Sequence, residues 1–262
     1  MLSAFRAGLR SRSIQAILVL GCVLVGAAYL SSILSPRQPK TVALDVGLSG
    51  LRMTLVLFSL FWVQELVGRE ITQRTVLFTI AYPISRSHYI LGRFLGVAGL
   101  MVLASVLLGL LLWITVLISG GNYEQGFPVV LGIPYWLTVF GLWLDALVVA
   151  AFALWIATLS TVPVLPLALG LAFAVAGKTL GAVVEYMVKG AEGDAEIMRL
   201  APVVEIIQHV LPDLSRLDWR AWPMYGVAPE LQSVVFAILM AASYASLLLT
   251  LSTISFSKRE IF

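Results

Sequence analysis

The chain has one cysteine, two histidines and few charges: Asp, Glu, Lys and Arg together supply only 12% of its 262 residues. A lone cysteine, Cys22, excludes an intramolecular disulfide framework and a cysteine-built zinc cluster. No G-x-x-x-x-G-K-[ST] stretch occurs, so any ATP the protein uses is hydrolysed on another chain. No Ser/His/Asp set or carboxylate pair with workable geometry is evident either, and the expectation is a non-catalytic chain that binds no cofactor or metal directly. The net charge is +3, but the basic residues flank apolar runs, which points to membrane topology and not to nucleic acid.

What is abundant is apolar surface. Hydrophobic residues make up 60% of the chain and the mean hydropathy is +0.98, far above soluble domains. The protein is read as one all-α transmembrane domain covering residues 1–262, with spans at about 14–34, 48–66, 94–119, 135–160, 164–187 and 232–256. The stretch "VLGC" ending at Cys22 has the outline of a lipoprotein cleavage site, but the apolar run continues through "VLVGAAYL", as an uncleaved span would. Before it, "MLSAFRAGLRSRS" fits either a helix lying on the membrane surface or a plain basic flank. "SPRQPK", "GGNYEQGFP" and "TVP" are turns, and the brevity of the last makes spans four and five antiparallel neighbours.

Six spans put both termini on one side. Arg6, Arg10, Arg12, Arg69, Arg74, Arg86, Arg93, Lys258 and Arg259 make that side the cytoplasm, while Arg37, Lys40 and Arg52 fall outside. The outer loop, 188–230, interleaves acids and bases with apolar residues and is expected to cover the outer exit at the interface, with a short amphipathic helix in "APVVEIIQHVLPDL". Arg52 is expected to snorkel to the headgroups from near the start of span two, and Lys178 and Glu185 to do so from the outer end of span five. Asp145 is the one acid deep within a span, a candidate polar site for a proton or substrate or else a hydrogen bond to a neighbouring helix. Gly92 with Gly96, and Gly177 with Gly181, match the small-xxx-small pattern of close helix packing, a pattern common by chance among 21 glycines. Glu205 and His209, at i and i+4, have ligand spacing without a third ligand, which favours a surface pair.

The charges gather in "ELVGREITQRTVLFTIAYPISRSHYILGRF", residues 65–94, the cytoplasmic connection between spans two and three. Val67, Ile71, Leu77 and Phe78, alternating with Arg69, Glu70, Gln73 and Arg74, suit a short helix with one side on the membrane and one side open to a soluble partner. Pro83 ends that helix, and Ser85 or Ser87 caps the next. Anchoring to anionic lipid explains Arg93, but it does not explain the acid Glu70.

This order of residues resembles the membrane permeases of ABC transporters of the type-2 exporter class. They tend to show, after the second span, a glutamate, a threonine, an apolar run, then proline, serine, arginine and Leu-Gly-Lys/Arg. The matching residues here are Glu70, Thr75, "VLFTIA", Pro83, Ser85, Arg86 and "LGRF"; Arg74 stands where glycine often precedes the threonine. "FSKREIF" resembles the basic ending of such permeases. The resemblance implies a permease in a prokaryotic inner membrane that pairs with a second copy or a paralogue and with two ABC ATPase subunits carrying the ATP. It also makes the elbow a coupling helix, with Glu70, Thr75, Pro83, Ser85 and Arg86 as its contacts. Two other readings stay open: an ion-coupled secondary transporter using Asp145, and a structural anchor for a cytoplasmic ATPase.

Overall fold

The computed structural model describes residues 12–65, 86–120, 126, 128–160, 162, 164–190 and 211–258. Among these the protein is all-helical, without strands. Its α-helices are α1 (Arg12–Ile33), α2 (Pro39–Val63), α3 (Arg86–Ile118), α4 (Ile133–Leu159), α5 (Leu165–Gly190), α6 (Ala221–Tyr225) and α7 (Leu231–Lys258), with a 3-10 turn at Leu214–Leu217 before α6. All but α6 are long and apolar enough to cross a membrane, so the chain is a multi-pass membrane protein by length and composition.

Two of the six helices form the centre. In α2 and α4, 67% of the apolar window is buried, against 22–39% in the other four, whose outer faces are apolar. The reason for α2 lies in its sequence. Leu44, Leu48, Leu51, Leu55, Phe58 and Trp62 recur at spacings of three and four, fall on one face and are at most 2% exposed. Asp45, Ser49 and Arg52 follow the same spacing one residue further on, about 100° around the helix at 3.6 residues per turn.

α4 binds its neighbours through polar and aromatic contacts. The buried Tyr135 hydroxyl donates to the Gly109 carbonyl of α3 at 2.5 Å. Phe152 stacks on Phe173 of α5 with ring centroids 4.2 Å apart. Between α4 and α5, the Ser160 hydroxyl oxygen accepts from the Val162 N–H at 2.9 Å and closes the short antiparallel turn that "TVP" predicts. At the opposite end of α3, Tyr89 stacks on Phe256 of α7 (5.6 Å), and the Arg93 guanidinium lies over the Tyr89 ring at 5.4 Å. Arg93 is thus held by an aromatic face as well as by its place near the helix start.

The helix starts differ from expectation most at α2, which begins at Pro39, nine residues before the predicted span. Proline at the first helical position carries no N–H to leave unpaired and has φ set for the helix. Arg52 is therefore thirteen residues into α2, about 20 Å along its axis at 1.5 Å per residue, and not near a headgroup.

Candidate functional site

Asp145 and Arg52 meet in the middle of the bundle. Asp145 lies twelve residues into α4, about 18 Å from its start, at nearly the same depth as Arg52 in a hydrocarbon core about 30 Å thick. Arg52 Nε donates to Asp145 Oδ2 at 2.5 Å, and its Nη2 donates to the Ala174 carbonyl of α5 at 3.2 Å. The Asp145 side chain is 2% exposed and that of Arg52 17%. The predicted snorkelling of Arg52 is thereby corrected: the guanidinium turns inward because a carboxylate and a helix carbonyl are there to satisfy it. Among the described residues Asp145 Oδ1 has no hydrogen-bond partner.

Lys178 also turns inward. It sits in the middle of α5 and pairs with Asp218, which reaches the helices from the segment between α5 and α7. The expectation of a headgroup-facing lysine is wrong here for the same reason, an acid within reach. Arg220 Nε bonds both oxygens of Asp218 at 2.9 Å, and its Nη1 reaches Asp45 at 2.8 Å and Ser49 at 2.9 Å on α2. Three bases (Arg52, Lys178, Arg220) thus face three acids (Asp45, Asp145, Asp218) along α2, α4, α5 and the segment before α7. Balanced charge is what an apolar surround demands, since an ion left alone there is expensive.

The segment that carries Asp218 and Arg220 is packed into the bundle. Leu214 and Leu217 are fully buried and Trp219 nearly so. The Thr138 hydroxyl of α4 donates to the Trp219 carbonyl at 3.1 Å, and the Val130 N–H donates to the Pro223 carbonyl at 2.9 Å. Asp213 accepts from the N–H and the hydroxyl of Ser215, capping the 3-10 turn. Gly226, at φ 72°, ends α6 in the left-handed region that glycine adopts without strain. The helices make room with glycine. A Cβ at Gly141 would run into the Leu217 carbonyl, one at Gly177 into Leu214 and one at Gly181 into Ser215. The small pair Gly177/Gly181 therefore receives this segment, and among the described residues Gly92 has no neighbour that needs its smallness.

Asp218 lies outside the spans. Burial raises its pKa, but the hydrogen bonds of Arg220 and the charge of Lys178 outweigh that and hold it below the usual carboxylate range. A folded-state pKa below the unfolded value gives stability that is fully present above the unfolded value, about 3.9, and is lost as pH falls through the folded one. The expected result is a thermal midpoint that drops on acidification below about pH 4. That drop is smaller in Asp218→Asn, measured in the same detergent; equal acid sensitivity of the two proteins would contradict it.

Of the other sequence-predicted residues, Glu70, Thr75, Pro83, Ser85, Glu205 and His209 lie outside the described residues, and Arg86 is the first residue of α3. Among the described residues no three His, Cys, Asp or Glu side chains group as metal ligands. Asp45, Asp218 and Arg220 were missed in the sequence; their only signal was an excess of paired opposite charges close to apolar runs. Compared with known proteins, the chain matches no family model and no curated protein.

Proposed function

We propose that this chain is the transmembrane permease subunit of an ATP-driven exporter of the ABC type-2 class, acting in a prokaryotic inner membrane with both termini cytoplasmic. A second permease and two separate ATPase subunits complete the assembly, and the chain moves an as yet unassigned substrate without chemistry of its own. The observation that carries the reading is the order Glu70, Thr75, Pro83, Ser85, Arg86, Gly92, Arg93 in the connection between α2 and α3. Its setting supports a coupling role. The connection leaves the most buried region of the bundle at the end of α2 and enters α3, which is stacked on α7 through Tyr89 and Phe256. A push on the connection would reach the core helix and two peripheral helices at once, as a rigid transmitter requires.

Alanine at Glu70 or Arg86 is expected to weaken capture of the partner ATPase or to separate ATP turnover from transport. Co-purification and ATP hydrolysis in proteoliposomes measure both. Normal capture and normal coupled turnover in both variants would remove the elbow from the mechanism.

An ion-coupled transporter is the second reading, favoured by the buried Asp145 oxygen that lacks a hydrogen bond. The Arg52 ion pair weighs against it, because that guanidinium already neutralises the carboxylate. Substrate uptake driven by an imposed proton or sodium gradient, without any ATPase, would establish it.

A further inference from the structure

The charged network divides at one seam into two neutral halves. Within residues 211–226, Asp213 pairs with Arg216 (3.1 Å) and Asp218 with Arg220 (2.9 Å), two acids against two bases. On the helices Asp45 and Asp145 stand against Arg52 and Lys178, again two against two. Among the described residues, only Lys178–Asp218 and Arg220–Asp45, with the Ser49 hydroxyl, cross the seam by side-chain charge. Apart from these, among the described residues the segment is held by the buried Pro212, Leu214, Leu217, Trp219, Pro223 and Met224 and by the Thr138–Trp219 and Val130–Pro223 hydrogen bonds. A permanent part of the core has no need to be neutral by itself. A part that leaves its seat does, because it would otherwise carry net charge out of, or leave it within, an apolar surround.

Withdrawal nevertheless leaves one group badly placed. Lys178 is in the middle of a spanning helix, and Asp218 is its counter-ion. Beside it lies the strip that Gly177 and Gly181 keep free of side chains, which Leu214 and Ser215 fill when seated. A cation beside a shallow apolar strip is complementary to a molecule with an anionic group and a hydrocarbon part, and Leu214, Leu217 and Asp218 present that same combination from within the chain.

We propose that residues 211–226 are a detachable plug, and that Asp218 keeps the place on Lys178 of an anionic group belonging to an amphiphile. The anion competes with an internal carboxylate whose effective concentration is on the order of millimolar or higher. A lipid headgroup, concentrated in the membrane plane, meets that requirement better than dilute soluble phosphate. The inference is independent of the ATPase reading, since it is tested on this chain alone.

The test is hydrogen exchange of the amides of residues 213–219 in nanodiscs. In phosphatidylcholine these amides should exchange slowly; in phosphatidylglycerol their exchange should quicken at least tenfold, and Lys178→Met should abolish the difference between the two lipids. Quickening by inorganic phosphate in phosphatidylcholine discs would assign the anion to a soluble source, and quickening by phosphatidylglycerol alone to a lipid. In a Cys22→Ser background, Gly181→Cys with Ser215→Cys brings two Cβ atoms to about the separation of a disulfide (3.1 Å before any relaxation). The oxidised protein should stay protected in phosphatidylglycerol and the reduced one should not. Because Lys178→Met removes one of the two bases on Asp218 and leaves only Arg220, the double variant Lys178→Met/Asp218→Leu serves as the folded control: plug seated and no response to anions. Exchange that is equally slow in both lipids and with phosphate, or a response that survives loss of Lys178, would overturn the proposal.

Discussion

Replacing Arg52 by methionine lowers the unfolding free energy by about 3–5 kcal/mol, the range for breaking one side of a buried ion pair. The reason is the depth of Asp145. Its side chain is 2% exposed and at the middle of α4, and Arg52 is its hydrogen-bond donor. Without the guanidinium, the carboxylate loses its hydrogen-bond donor and its nearest counter-ion. Asp145→Asn is milder, because the amide oxygen still accepts from Arg52 and Arg52 keeps the Ala174 carbonyl. Arg52→Met with Asp145→Leu together should recover most of the loss, since apolar residues of similar volume remove the desolvation cost on both sides at once. Unfolding in mixed micelles, followed by tryptophan fluorescence, measures the parent protein, Arg52→Met, Asp145→Leu and their double variant in a double-mutant cycle, with Asp145→Asn beside them. A loss below about 1 kcal/mol for Arg52→Met would place it among exposed ion pairs and not buried ones. The same cycle bears on the proposed function. A pair retained for stability alone should be replaceable by Met and Leu without loss of transport, whereas a pair that is remade during transport should not.

The six spans are legible because each contains a long, predominantly apolar window with at most two charges, which needs no partner to be recognised. The start of α2 is not, because Lys40 and Asp45 lower the local hydropathy. Both are early in the helix, and the latter is satisfied by Arg220, 175 residues away in sequence. The same distance effect hid the site. Asp145 was legible as an acid out of place, but its partner is 93 residues away, and no local pattern in one sequence says which base will meet it. Read alone, Arg52 and Lys178 therefore point to headgroups, the one partner a membrane always offers. The segment before α7 was expected at the outer interface. Its described part goes deeper, because Leu214 and Leu217 find a seat in glycines on α4 and α5 that the sequence offered only as a helix-packing motif. The elbow residues stand out in the sequence by order and spacing, but Glu70, Thr75, Pro83 and Ser85 fall outside the described residues.

Gly141 is the position where one added methyl should do most damage. The Cβ of Gly141→Ala would run into the main-chain carbonyl of Leu217, with the Trp219 ring 3.2 Å away on another side. A side-chain neighbour could rotate away, but a carbonyl in the 3-10 turn moves only if the turn moves. That turn is fixed by the Asp213 cap and by the Thr138 bond to Trp219, so the segment must lift from α4 as a unit. Overpacking typically costs about 1–3 kcal/mol when side chains yield; with backbone as the obstacle the expected loss is at or above the top of that range. Gly99→Ala is the matched control. Among the described residues nothing lies within 4 Å of its added Cβ on α3, and alanine in a helix interior is favoured over glycine by about 1 kcal/mol. The same chemical change should therefore destabilise at Gly141 and be neutral or stabilising at Gly99. Exchange of the amides of residues 213–219 separates the cause from a general loss of folding. In Gly141→Ala it should rise far more than exchange in α2, because α2 keeps its leucine face and its contacts with α1 and α3. Equal increases in both regions would mean that the segment is an inseparable part of the core, and would count against its working as a plug.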